Sequence, residues 1–583
     1  MNLFLSYSKK SSMMKFAFSL LALLFVNVAF GQEVLKENLT KMKSVYWDFN
    51  KTQIQARGKY YKDELGETFE KHGKWTYYDR LGEIEEVRNY YRDMLSGQVT
   101  LLYPNGKKRQ EGYFKYDRQD SLYTEWYETG HVKAEGTYKL NQRIGEWKNY
   151  YVDGRLKSIE EPRGEDTYIW KFHLPDSLHT AIITDGNGEL VTYYSTGGVK
   201  EWYNYKDGLK NGPFEELSVY GHISLKGEFK NGLKHGSWDY SYYTGDKEKT
   251  STYKEGVLDG PYQYYYDTGQ LNVNGRYKNG KKSGLWTWYT NKGTRDMEGT
   301  FDEGEQNASW TYWYPTGEIS YYAKFDHGKK TGSWTYLYLD GSTFKQGIFA
   351  DDMRNGEWKT WYEDGTLHSQ GNFIDGKENG EWLSYWENGE LKNKTDFRNG
   401  SIDGGWESYS PAGKKKLIGE YKDNMKVGEW FEYFDNGKQK EISNYKLFKK
   451  KTEMDYSILK GHVVMESKKH GHSTSFSGKD YKITEEGEYK RGKKDGEWIA
   501  YHPGGRLAAV VSSYKKGELD GKMKIYSRRG KLLQEIDYKD GLKHGKFVVY
   551  DKRGKVLREL KYSEGMQIIK GSEGGGGSFT PGR

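Results

Sequence analysis

Residues 356–379 read GEWKTWYEDGTLHSQGNFIDGKEN, and at Gly380 the same phrase begins again. Numbering this unit 1 to 24 puts Gly356 at position 1, Trp358 at 3, Trp361 at 6, Gly365 at 10, Gly371 at 16, Phe373 at 18 and Gly376 at 21. Steps of 24 residues carry position 1 from Gly212 to Gly428 without a slip, Ala308 being the one substitute for glycine. Position 3 then falls on Phe214, Trp238, Tyr262, Trp286, Trp310, Trp334, Trp358, Trp382, Trp406 and Trp430, and position 18 is Phe or Tyr from Phe229 to Tyr445. A fixed period with fixed glycines and rings is the mark of a repeat array.

Each unit reads as two strands and two turns. Positions 2–8 are rich in Trp, Tyr and Thr, side chains that suit a pleated, half-buried surface. Pairs such as Asp364-Gly365, Asn279-Gly280 and Asn399-Gly400 supply the positive backbone angles of tight turns. The second strand spans positions 11–18 and the second turn positions 19–22, as in Lys278-Asn279-Gly280-Lys281. With 72 glycines in the chain, no window is left for a helix. One hairpin cannot bury its own rings, so hairpins must stack on their neighbours. Positions 3 and 18 are the expected buried ladder (Trp238, Trp286, Trp310, Trp334, Trp358, Trp382, Trp406 and Trp430 at position 3). The small residue at position 16 fits a place where a neighbouring ring crosses the backbone.

GLWTWYTNKG at Gly284 and GEWLSYWENGELKNKTDFRNG at Gly380 resemble the MORN-variant repeat, a bacterial relative of the membrane occupation and recognition nexus repeat. The resemblance covers roughly Arg57 to Gln567. It implies an all-β, elongated, non-enzymatic ladder of about 17–18 stacked 24-residue hairpins, and no single function. Some such relatives are labelled antitoxins, a role that an exported chain does not suit.

In chain order, residues 1–31 read as a signal peptide: Lys9, Lys10 and Lys15 precede the apolar run Phe16 to Phe30, with a small-residue cleavage site before Gln32. Either Met1 or Met14 serves as the start. Residues 32–57 are the expected helical or irregular N-terminal cap, and repeats fill 58–154, with Ser121 in place of the position-1 glycine. The period breaks at 155–187, read as one lengthened hairpin pairing Tyr168–Leu174 with Thr180–Asp185. Repeats resume over 188–439, break at 440–486 and return over 487–570. Residues 571–583 are a Gly/Ser tail expected to be flexible.

The chain has no cysteine, which removes disulfides, thiol catalysis and thiolate metal sites. His72, His235 and His544 precede position-1 glycines and read as turn residues; His470 and His472 have no carboxylate close by in sequence. No nucleophile elbow, phosphate loop or calcium loop occurs, so no enzyme, cofactor or metal is expected. The net charge of +8 is spread over 91 basic and 83 acidic residues, which argues against nucleic acid and allows at most peripheral membrane contact.

These features point to an exported scaffold in the periplasm or at the cell surface. It would dock envelope proteins, plausibly of an outer-membrane or secretion assembly. The breaks in the repeat are the expected contact regions, with Trp170, Phe172, Phe448 and Lys449 as candidate contacts. The crowded rings of Tyr264-Tyr265-Tyr266 and Tyr312-Trp313-Tyr314 leave two alternatives open: packing on both faces, or an exposed aromatic strip for a protein or a glycan.

Overall fold

The structure, a computed structural model, describes residues 38–450 and 464–569. The signal-peptide reading of 1–31 and the tail at 571–583 lie outside the described residues. The chain forms two compact units, residues 1–259 and 260–583. The described part of each is a meander of antiparallel strands in which each long strand pairs with the long strands before and after it in the chain. Among the described residues there is no α-helix.

The repeat at 353–376 shows why. Strand Met353–Trp361 runs into a turn in which the Tyr362 N–H donates to the Thr366 carbonyl at 2.8 Å and the Gly365 N–H to the Tyr362 carbonyl at 3.0 Å. Asp364 Oδ1 accepts the Thr366 N–H at 2.8 Å, fixing the turn from its own side chain. The chain returns as strand Leu367–Ile374 and turns again through Asp375-Gly376 alone, with φ of 49° and 79°. Two consecutive positive angles define the tightest hairpin connection. The turns at Asn279-Gly280, Asp364-Gly365 and Asn399-Gly400 stand where the repeat placed them.

Two boundaries differ from the sequence reading. The second turn takes two residues rather than four, so the first strand begins at position 22 of the preceding unit. The position-1 glycine is therefore inside a strand, not ahead of it. Between the pairs Asn355↔Ile348 and Lys359↔Gln346 one strand advances four residues while its partner advances two. Gly356, at φ 66°, sits in this bulge. Ser121 and Ala308 hold the same place at φ 78° and 58°.

In the first unit the N-terminal segment is not helical. Strand Lys43–Tyr46 pairs with Ile54–Asp63, and Phe49 is fully exposed. Trp75 is buried with Ala56 and Tyr90. The segment 155–187 is not one hairpin. Leu156–Arg163 pairs with Asp166–His173 from Ser158↔Phe172 to Arg163↔Asp166, and the expected partner Ala181–Thr184 meets Asp166–His173 only at Phe172↔Ile183 and His173↔Ala181. Asp166 starts a new strand after the turn at Gly164-Glu165, so the meander simply continues.

In the second unit the core is Trp310, Ala323, Phe325, Trp334, Phe349, Trp358 and Phe373. The break at 440–486 contains two long paired strands, Gln439–Lys449 and Met465–Phe476, joined through 451–463. The 25-residue step from Gly496 to Gly521 puts its extra residue in the turn His502–Leu507, which holds Gly504 and Gly505.

Candidate interaction surface

Trp358 faces Gly371 across one strand pair and leans back over Gly347 of the other. Its indole N–H donates to the Ile348 carbonyl at 3.1 Å. Phe349 and Phe373 meet its ring edge-on at 5.1 and 6.1 Å, and the Arg354 guanidinium lies 4.9 Å from the ring centroid. The indole–carbonyl bond recurs at Trp286, Trp310, Trp334, Trp382 and Trp498. Of the expected tryptophan ladder, Trp238, Trp286, Trp310, Trp334, Trp358 and Trp430 are buried, while Trp382 and Trp406 are half-buried.

Two recurring devices escaped the sequence reading. A cation stands four residues before the tryptophan and over its ring: Lys282 on Trp286 at 4.6 Å, Lys330 on Trp334 at 5.2 Å, Lys426 on Trp430 at 3.9 Å. Burial depresses the Lys282 and Lys426 ammonium groups below the usual lysine range. The signal was in plain view, a Lys or Arg at position 23 before most tryptophans. The second device is the position-7 ring. Tyr314, Tyr338 and Tyr362 donate their hydroxyls to the carbonyls of Leu337, Trp361 and Tyr385, each 23 residues on, at 2.8–2.9 Å. This explains the crowding of rings, because the last ring of each run ties one repeat to the next.

Positions 5 and 14 share the tryptophan face, and here the second unit carries a local feature. Trp286, Trp288, Trp310, Tyr312, Tyr321 and Tyr336 form an unbroken chain of ring contacts. Trp288 stacks on Trp310 at 5.8 Å, Trp310 on Tyr312 at 6.0 Å, Tyr312 on Tyr321 at 4.1 Å with 10° between planes, and Tyr321 on Tyr336 at 5.4 Å. Trp288, Met297, Tyr312, Tyr321 and Tyr336 are half-buried, so this chain reaches the surface. Lys345 closes one end, 5.3 Å from the Tyr336 ring. Beyond it the same positions become Thr360, Ser369, Ser384, Asn393 and Ser408, and then Leu417 and Glu432. Burial first, then the Tyr312 neighbour, pushes the Tyr321 phenol up; burial does the same to Tyr312 and Tyr336. All three hydroxyls stay protonated at neutral pH.

None of the candidate contacts belongs to this strip. Trp170 stacks on Tyr168 at 6.1 Å and donates to Glu161 Oε2 at 3.1 Å. Phe172 packs on the buried group Ile183, Leu190 and Tyr205. Phe448 meets His470 edge-on at 5.3 Å and lies under the Arg491 guanidinium at 5.1 Å, while Lys449 is exposed. Strand pairing brings His472 two carboxylates that are remote in sequence, Glu486 and Glu488, each at 3.5 Å. Among the described residues no three such groups converge as a metal site. No helix among them is long and apolar enough to cross a membrane.

Six segments of the chain, 119–140, 258–279, 354–375, 378–399, 426–447 and 519–540, match the family described as MORN repeat variant. The protein thus carries MORN-variant repeats, in the register read from Gly356. No curated protein is similar enough to be matched to it. Solved structures with a likeness include "Crystal Structure of TcdB2-TccC3", at 11% identity over 90% of this chain and 31% of that one, with a TM-score of 0.13. Another is "Structure of Photorhabdus luminescens Tc holotoxin pore, Mutation TccC3-D651A", at 11% identity, 90% and 30% coverage and a TM-score of 0.13. The chain spans about a third of the length of those chains, and likenesses this distant carry no functional argument.

Proposed function

We propose that this repeat protein is a non-enzymatic scaffold of the bacterial envelope that holds a protein partner on the aromatic strip of its second unit. The observation that carries the reading is the continuity of Trp288, Tyr312, Tyr321 and Tyr336, half-exposed and in ring contact across successive repeats, where the next repeats carry no ring at these positions. Half-buried aromatics of this kind supply large contact area at small entropic cost. Export, to the periplasm or the cell surface, is supported by the charged and apolar leader at residues 1–31. Neutralising a cytosolic toxin, as the label of some relatives has it, would need a chain that stays inside.

Binding of a glycan is the second reading, and ring geometry disfavours it here. Sugars stack on ring faces, and Tyr312 and Tyr321 each cover one face of the other at 4.1 Å. The strip also presents ring edges and protonated hydroxyls, which suit a protein surface.

The test replaces Tyr312, Tyr321 and Tyr336 by Ser, the residue that other repeats tolerate at positions 5 and 14. A photo-crosslinker placed at Tyr336 should trap one envelope protein, and the triple variant should lose that protein from co-purification while keeping its strand content. Fractionation should recover the chain outside the cytosol. Cytosolic recovery, or capture unchanged in the triple variant, sinks the reading.

A further inference from the structure

The edge of the second unit formed by the longer turns changes sign along its length. The four turns at 314–318, 338–342, 362–366 and 386–390 hold six carboxylates and no lysine or arginine. The next six, at 410–414, 434–438, 477–482, 502–507, 527–531 and 551–555, hold eleven lysines and arginines against three aspartates. All eleven basic residues are exposed. The turns also touch one another in order. Asn436 Nδ2 donates to the Gly478 carbonyl at 3.0 Å, Lys438 Nζ to the Lys479 carbonyl at 3.4 Å and Lys531 Nζ to the Lys552 carbonyl at 2.9 Å. The charge is therefore a row, not scattered points. Lysines just past the turns do have a carboxylate at ion-pair distance, Lys416 with Asp435 and Lys440 with Glu432. Among the described residues Arg506, Arg528, Arg529, Lys552, Arg553 and Lys555 have none.

We infer that this basic edge binds an extended acidic polysaccharide lying across successive turns. Equivalent turns are separated by two strands, about 10 Å at ordinary strand spacing. That interval is comparable to a disaccharide, so a uronic acid or sulfated polymer meets a new cationic turn with each of its repeats. Arg528, Arg529 and Arg553 offer planar forks that take a carboxylate or sulfate through two N–H groups. Single-stranded nucleic acid would require flat rings beside the cations for its bases. At position 7, where the acidic turns carry Tyr314, Tyr338, Tyr362 and Trp386, the basic turns carry Ser410, Phe434, Ser477, His502, Ser527 and Asp551. The rings are mostly gone where the charge is greatest. This site is separate from the aromatic strip and stands or falls independently of it.

The experiment uses the purified full chain with polygalacturonate as probe, neutral dextran as control, and single-stranded DNA, duplex DNA and anionic phospholipid vesicles as competing polyanions. One variant removes four charges from the row, Arg528→Gln, Arg529→Gln, Lys552→Gln and Arg553→Gln. A second removes four exposed charges of the first unit, Lys74→Gln, Lys139→Gln, Lys206→Gln and Lys254→Gln. Polygalacturonate should bind at low ionic strength and weaken steeply with salt, and dextran should not bind. The edge variant should lose at least tenfold in affinity with its thermal midpoint unchanged, and the first-unit variant less than twofold. Equal loss in the two variants, no binding at low salt, or tighter binding of DNA or vesicles at equal charge overturns the inference.

Discussion

Trp358 lies flat across the backbone of Gly347: a Cβ built on that glycine would come within 2.1 Å of the indole Cδ2. The same closure joins Gly136 to Trp147, Gly227 to Trp238, Gly275 to Trp286, Gly299 to Trp310 and Gly419 to Trp430. The glycine at position 16 is thus half of a pair whose other half is the tryptophan eleven residues later. Because no smaller side chain exists, the pair is the least forgiving contact of the repeat.

Gly347→Ala should therefore cost at least the 1–3 kcal/mol usual for overpacking, since the ring has no free space to retreat into. Gly365→Ala is the comparison. Its φ is 83° but nothing lies within 4 Å of the added methyl, so about 1–2 kcal/mol of backbone strain is all it should incur. Hydrogen exchange separates the two. The first variant should expose the strands around Trp358, the second only the turn.

Ala308 is the reverse case. It sits at φ 58° in the bulge where neighbouring repeats have glycine. Relief of about 1–2 kcal/mol of left-handed strain, less about 0.4–1 kcal/mol for the freer unfolded chain, predicts that Ala308→Gly stabilises its neighbourhood by roughly 0.5–1 kcal/mol. Denaturant midpoints read from protection of strand Glu305–Trp313 should rise. A fall would mean that the alanine is packed to advantage.

Most of this fold was legible because the period places the same residue types in the same surroundings. Gly371, Trp358 and Phe373 announce a buried pair and its edge contact, and Asn279-Gly280 announces a turn. What was not legible depends on register. The bulge at Gly356 hides because glycine signals a turn as readily as a bulge. The pairing of Asp166–His173 back onto Leu156–Arg163 hides because 155–187 has no repeat to compare with. The aromatic strip hides for another reason: alternation says which face a ring occupies, not whether Tyr312 and Tyr321 meet face to face. The position-7 bonds required knowing which carbonyl lies one repeat away, and only the paired strands show that.

Those bonds make a small, separable prediction. Tyr362→Phe removes the hydroxyl that donates to the Tyr385 carbonyl at 2.9 Å and keeps the ring. A loss of about 0.5–1.5 kcal/mol is expected, confined to the link between the turn at 362–366 and the next. Exchange at the Trp386 amide, which starts that next turn, is the readout, and no change there would demote the bond to a surface contact.

Alkaline stability follows from the tyrosines. Burial, helped by Glu160 and Glu201, pushes the Tyr205 phenol up to about 12; burial and then the bond to Glu407 do the same for Tyr409. At Tyr501 the bond to Glu486 comes first and burial second, again to about 12. Each folded value lies above the ordinary 10.0. The stabilisation is thus complete below pH 10 and lost as pH rises from there through 12, because the unfolded chain ionises first. Buried lysines such as Lys282 work the other way, since their depressed values favour folding as pH rises. Absorbance titration of phenolate should show these groups ionising together with unfolding above pH 10, and Tyr205→Phe should blunt the transition in the first unit.

Trp334 tests the repeat logic as a whole. It is 4% exposed and meets Phe325 at 5.3 Å and Phe349 at 5.1 Å, with Lys330 over its ring and its N–H on the Lys324 carbonyl. Replacement by Ala removes a buried aromatic at roughly 3–5 kcal/mol. In a globular core that loss would be felt everywhere. In this meander strands Ile319–Asp326 and Thr343–Ala350 are hydrogen-bonded only to neighbours in the chain, so the loss should stay near its source. Amide exchange should accelerate from about Ile319 to Trp361 and remain unchanged in strands Lys493–Tyr501 and Leu542–Tyr550 of the same unit. Uniform acceleration across the unit would show that it unfolds as one cooperative body, and the nearest-neighbour account of its stability would be wrong.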